Sequence, residues 1–142
     1  MAGTVKRRIA PAAVAVTVVL LLTACLAKPG PRAPHTGELI GTWRSGSTSL
    51  VLTADRRFEA RGVPASDIEG ATVTGTVSFR GDWILSGDRY AGFPRIELLA
   101  HADQGLGVGG VTAVFDSTTN PVSIAITYGG PEVPQFLHLS RR

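Results

Sequence analysis

Two stretches of this chain alternate with a period of two, and that pattern constrains the fold more than anything else in it. Ala71-Thr-Val-Thr-Gly-Thr-Val-Ser-Phe79 sets Val73, Val77 and Phe79 on one face and Thr72, Thr74, Thr76 and Ser78 on the other. Val122, Ile124, Ile126 and Tyr128 alternate with Ser123, Ala125 and Thr127 in the same way. Successive side chains of a strand point to opposite faces, so strict alternation marks a half-buried strand. Further candidate strands are Leu39–Arg44, Thr48–Thr53, Arg57–Arg61, Trp83–Leu85, Arg95–His101, Val111–Asp116 and Gln135–Arg141. Turn-forming clusters separate them: Ala54-Asp55-Arg56, Ser86-Gly87-Asp88, Ser117 to Pro121 and Gly129-Gly130-Pro131. Past residue 36 no stretch carries a helical stripe, and Pro64–Gly70 has room for one turn of helix.

Eight or nine short strands without helices predict an all-β fold, an antiparallel meander of about eight strands following an N-terminal signal helix. A sheet of that size closes into a barrel or folds into a sandwich. The expected core is Leu50, Leu52, Phe58, Val73, Val77, Phe79, Trp83, Ile96, Leu98, Phe115, Val122, Ile124 and Ile126. The only cysteine is Cys25, so no disulfide within the chain braces this core.

Glu38-Leu-Ile-Gly-Thr-Trp43-Arg resembles the opening strand of the calycin group: lipocalins, fatty-acid-binding proteins and streptavidin-like barrels. The resemblance implies a small lipocalin-like barrel. It also implies that Trp43 closes one end beneath a basic residue of the last strand. With Leu137 and Leu139 facing inward, period two places Arg141 on their face, making it the expected partner of Trp43. Gly81-Asp-Trp83 echoes Gly41-Thr-Trp43, which reads as two similar strand starts rather than a repeat. Biotin binding of the streptavidin kind is not implied, because Arg44-Ser-Gly-Ser-Thr-Ser49 does not match the polar pocket of that family.

The N-terminus has a different character. Lys6, Arg7 and Arg8 precede an apolar run from Ile9 to Leu22, which ends in Leu22-Thr23-Ala24-Cys25. A basic start, a short apolar middle and a small-residue exit form a secretory signal. The middle falls short of the roughly 20 residues that span a bilayer. Leu-Thr-Ala-Cys resembles the lipobox of bacterial lipoproteins. That resemblance implies a diacylglycerol on the Cys25 thiol, cleavage before Cys25, and a protein anchored on the extracytoplasmic face of the cell membrane. The expected organisation is a signal peptide over 1–24, a lipidated cysteine with a Pro/Gly-rich tether over 25–37, and the β domain over 38–142.

Charge excludes one class of partner. Of fourteen Lys and Arg, three lie in the signal, and the remaining eleven balance eleven Asp and Glu. No basic stripe points to nucleic acid. Nor does any constellation point to a cofactor, a metal or catalysis. His35, His101 and His138 stand far apart, and no Gly-x-Ser-x-Gly elbow is present. Asp67 and Glu69 read as solvated loop carboxylates. Gly105, Gly107 and Gly110 match a dinucleotide fingerprint, but Val111–Phe115 after them reads as a strand, not the helix such a site needs. The expectation is a monomeric, non-enzymatic binding module for an apolar ligand in the barrel mouth or for a cell-envelope protein. The alternatives are a structural or protein-interaction module with a filled barrel, or an envelope hydrolase. Fatty-acid labelling checks the anchor: Cys25→Ser should abolish the label and release the protein from the membrane fraction.

Overall fold

The structure, a computed structural model, describes residues 30–68, 70–102, 109–128 and 134–141. The signal segment, Cys25, Glu69, Gly105 and Gly107 lie outside the described residues. A four-residue helix, α1 (Thr36–Leu39), precedes eight strands. These are β1 (Gly41–Ser45), β2 (Thr48–Leu52), β3 (Arg57–Pro64), β4 (Thr76–Tyr90), β5 (Phe93–Ala100), β6 (Val111–Asp116), β7 (Ser123–Tyr128) and β8 (Gln135–Arg141). Each pairs antiparallel with the next, and β8 returns to β1 to close a barrel. The fold is therefore the all-β meander that the alternation predicts.

Strand β4 departs from that reading. Two expected strands, Ala71–Phe79 and Trp83–Leu85, are replaced by one strand of 15 residues. Its first half pairs with β3 and its second half with β5, so Gly81 faces Phe58 on one side and Ala100 on the other. Arg80-Gly81-Asp82 runs straight through this strand. The glycine serves close approach: a Cβ on Gly81 would lie 1.9 Å from the Leu99 carbonyl oxygen. Ser86-Gly87-Asp88 is likewise no turn but falls within a register shift between Leu85 and Arg89. The chain reverses later, at Ala91 and Gly92, both with positive φ. Residues 71–75 are not strand, because the β3–β4 ladder stops at Pro64 and Thr76, and β3 passes into a 3-10 turn over Ala65–Asp67. Val73 has no partner strand there and is 36 % exposed rather than in the core.

The other expected core residues face inward, with Val77 and Val122 partly buried against the cluster. Large residues meet small ones across the ladder. Phe58 lies opposite Gly81, Phe79 opposite Ala60, and Ala113 between Ile96 and Ile126. Phe58 and Phe79 meet edge to face at 5.7 Å, an arrangement the ring quadrupoles favour. Trp43, Trp83, Phe79, Phe115 and a shell of Leu and Ile are almost wholly buried. Eight strands enclose a space just wide enough for side chains to fill, and these side chains fill it.

One patch of outer face is covered too. Val114 and Ala125 are register partners, buried yet outside the interior cluster. Phe93 of β5 reaches Phe136 of β8 at 5.9 Å, although β6 and β7 separate their strands. The end of the β4–β5 hairpin thus lies across the outside of β6 and β7.

The compact unit begins at Pro31, and the segment before α1 is held to the barrel. Pro34 is buried, the Arg32 amide donates to Ser117 Oγ at 3.0 Å, and Arg89 donates to the Pro31 carbonyl at 3.1 Å. The packing around Gly81 sets a test. Gly81→Ala forces a methyl group against backbone and should destabilise the barrel by about 2–3 kcal/mol in urea unfolding. Gly87→Ala, where a Cβ meets nothing within 4 Å, should change stability by no more than about 0.5 kcal/mol.

Candidate functional site

Both tryptophans lie beneath guanidinium groups. Trp43 pairs with Arg141 across the β1–β8 ladder, and the Arg141 guanidinium carbon stands 5.0 Å from the indole centroid. Leu139 is fully buried and Leu137 packs on the core, so the inward face of β8 leads to Arg141 at the rim. The Trp43 indole N–H donates to the Leu39 carbonyl at 2.9 Å. Arg141 donates to the carbonyls of Glu38 and Ile40. Gly41 leaves the necessary space: its φ is +137°, and a Cβ there would press within 3.1 Å of Arg141 Nη2. The spacing Gly41-Thr-Trp43 therefore combines a clearance for the cation with the ring it covers.

Trp83 repeats the arrangement with different parts. Arg56 stands 4.4 Å from its centroid, and the indole donates to the Thr53 carbonyl at 3.1 Å. Arg56 belongs to the β2–β3 turn, has φ +66°, and accepts the Trp83 backbone amide at 2.8 Å. The echo between Gly41-Thr-Trp43 and Gly81-Asp-Trp83 was the available signal for this second pair. Its cation was hidden because it comes from a turn and not from a paired strand. Each pair adds about 0.5–1 kcal/mol at such exposure, which makes them closures of the barrel rather than chemistry.

The entering segment is clasped to the same rim as Trp43. Arg32 reaches Glu38 with Nη1 to Oε2 at 2.8 Å, and the His35 amide donates to the same carboxylate at 2.7 Å. The Arg32 guanidinium, and next the His35 amide, hold the Glu38 carboxyl at about 2, well below its ordinary 4.5.

Polar side chains converge elsewhere, on the outside of the closing seam. A groove of about 380 Å³ is lined by Arg44, Ser45 and Gly46, by Thr119 and Pro121 of the β6–β7 loop, and by Ser123, His138 and Ser140. Register explains the assembly: Arg44 pairs with Ser140, Ser140 with Ser123, and Ser123 with Asp116. Within it Ser123 Oγ lies 3.0 Å from His138 Nδ1, and Thr119 Oγ1 lies 3.2 Å from both Ser123 Oγ and the Asp116 carbonyl. The Asp116 carboxylate is taken by the Thr118 amide at 2.8 Å and hydroxyl at 2.6 Å.

A serine beside a histidine is the start of a nucleophile and its base. Here Ser123 is buried and lies within hydrogen-bonding distance of Thr119 and His138, and the Phe136 ring stands 6.0 Å from the His138 ring. The arrangement suits a hydrogen-bond relay better than an attacking oxygen. His138 is exposed. His101 forms an exposed pair with Asp82 at 3.3 Å, and His35 starts α1. The three histidines are not brought together, and no metal-binding cluster occurs among the described residues. Asp67 ends the 3-10 turn and accepts from Ser66 at 3.0 Å. No family model, curated protein or solved structure matches this chain.

The clasp on Glu38 has a sign that can be checked. Its carboxyl is depressed in the folded chain, so its contribution is present above the ordinary carboxylate value and is lost as pH falls through about 2. Carbon-detected NMR should find a Glu38 midpoint near 2. At neutral pH, Glu38→Gln should speed exchange of the His35 amide and leave the indole N–H of Trp83 protected.

Proposed function

We propose that this protein is a lipid-anchored, extracytoplasmic recognition module. In this reading Cys25 carries the diacylglycerol, and a calycin-like barrel presents its outer surface to a partner in the cell envelope. It works as a monomer, without cofactor or metal, and carries out no catalysis. Five residues, Leu26 to Gly30, would separate the anchor from the barrel unit.

The observation that carries this reading is the filled interior. A carrier of apolar molecules needs a hollow lined by apolar side chains. Here two indoles, three phenylalanines and their aliphatic neighbours take up the space between the strands. The hollow with convergent polar groups lies outside, at the β7–β8–β1 seam. This packing of the interior supports the interaction module over an apolar ligand in the barrel mouth.

The Ser123–His138 hydrogen bond favours one other reading, an envelope hydrolase with Ser123 as nucleophile. Burial of Ser123 and engagement of Asp116 by Thr118 weigh against it. Native mass spectrometry of the protein purified from its own cells tests the proposal. The Cys25→Ser chain should appear at its bare monomer mass, and envelope lipids should not raise its melting temperature. A co-purified lipid that persists in that variant would restore the carrier reading. Ester hydrolysis lost in Ser123→Ala would restore the hydrolase.

A further inference from the structure

The seam groove has a composition that selects its ligand. Its lining offers one guanidinium, one imidazole and the hydroxyls of Ser45, Thr119, Ser123 and Ser140, with no carboxylate. The carboxylate next along the ladder, Asp116, is buried and turned to Thr118. Arg44 is exposed and has no hydrogen-bonding or ionic partner among the described residues. Gly46, with φ +56°, has nothing within 4 Å of where a Cβ would stand, so the floor beside Arg44 stays open.

From this we infer that the groove binds a carboxylate, held by the fork of Arg44 and the hydroxyl of Ser140. A guanidinium presents two parallel N–H groups that match the two oxygens of a carboxylate. One unpaired cation balances one negative charge, which fits a carboxylate better than a phosphate dianion. The relay behind the site supplies a further donor. When Ser123 donates to His138 Nδ1, the ring hydrogen resides on Nε2 and serves the ligand. At about 380 Å³ the groove exceeds a bare carboxylate and has room for a short polar stem.

This inference deepens the recognition reading and rests on it for biological meaning, but its test needs neither anchor nor partner. The full-length chain in detergent micelles is titrated by NMR with N-acetylglycine, with the uncharged N-acetylglycinamide, and with inorganic phosphate. N-acetylglycine should shift the Arg44 side-chain and His138 ring signals with a Kd on the order of 1 mM. Arg44→Gln should weaken binding roughly tenfold or more, since a charge-assisted hydrogen bond is lost. Ser140→Ala should weaken it less, and Arg61→Gln not at all. The indole N–H signals of Trp43 and Trp83 report that each variant keeps its barrel. The inference is overturned by equal binding of the amide, by tighter binding of phosphate, or by unmoved Arg44 and His138 signals at about 100 mM N-acetylglycine. Loss of a carboxylate response with an intact bare-mass monomer would remove this ligand and leave the recognition reading standing.

Discussion

An eight-stranded meander becomes a barrel only if its last strand finds its first, and among the described residues that seam is two residue pairs long. Trp43 meets Arg141, and Arg44 meets Ser140. Two pairs make a thin ladder, so the closure depends on what stands at its end. The Arg141 guanidinium covers the Trp43 ring and donates to carbonyls of the incoming segment, while the indole donates to Leu39. Backbone groups that the short ladder leaves unpaired at the entry to β1 thereby find donors. An unpaired buried carbonyl costs about as much as a hydrogen bond gains, which is why the cap and the seam behave as one device. The clasp between Arg32 and Glu38 extends it by tying the entering chain to the same rim.

Inside a barrel closed in this way the described core side chains pack against one another. The pairing of Phe58 with Gly81 and Phe79 with Ala60 shows volume traded between neighbouring strands at one level of the core. Deleting any of the large members would leave a void, and enlarging the small ones would push against backbone, as at Gly81. The outer face over β6 and β7 is closed as well, under the hairpin that brings Phe93 to Phe136. The surface that remains for specific contact is therefore reduced from both sides.

Much of the fold was legible in the sequence because a half-buried strand writes its period directly. The strand over Val122 to Tyr128 and its inward Ile124 and Ile126 were legible, as was the inward set along β2, β5 and β6. Strand β7 is, however, buried on both faces rather than half-buried, because its outward Ser123, Ala125 and Thr127 are covered too. The same logic misplaced Val73, because alternation records which face a strand would bury and not whether a partner strand exists. It also divided β4, because Gly81 and Gly87 look alike in a sequence. One is required by a carbonyl from the next strand and the other has open space around it. The Trp43–Arg141 contact followed from period two in β8, whereas Arg56 over Trp83 depends on a turn with positive φ.

The groove was illegible for a deeper reason. Its residues come from β1, a turn, a loop, β7 and β8, and only the register of a closed sheet places Arg44 beside Ser140 and Ser140 beside Ser123. Along that row exposure falls from Arg44 to the buried Ser123 and Asp116. Polar groups on a covered face must be satisfied, and the inner ones are, through Thr118, Thr119 and His138. Arg44, at the outer end, is the member of the row that the described protein leaves to be satisfied from outside. A thin seam thus does two things at once: its inward pair, Trp43 and Arg141, closes the barrel, and its outward pair, Arg44 and Ser140, lines the groove outside.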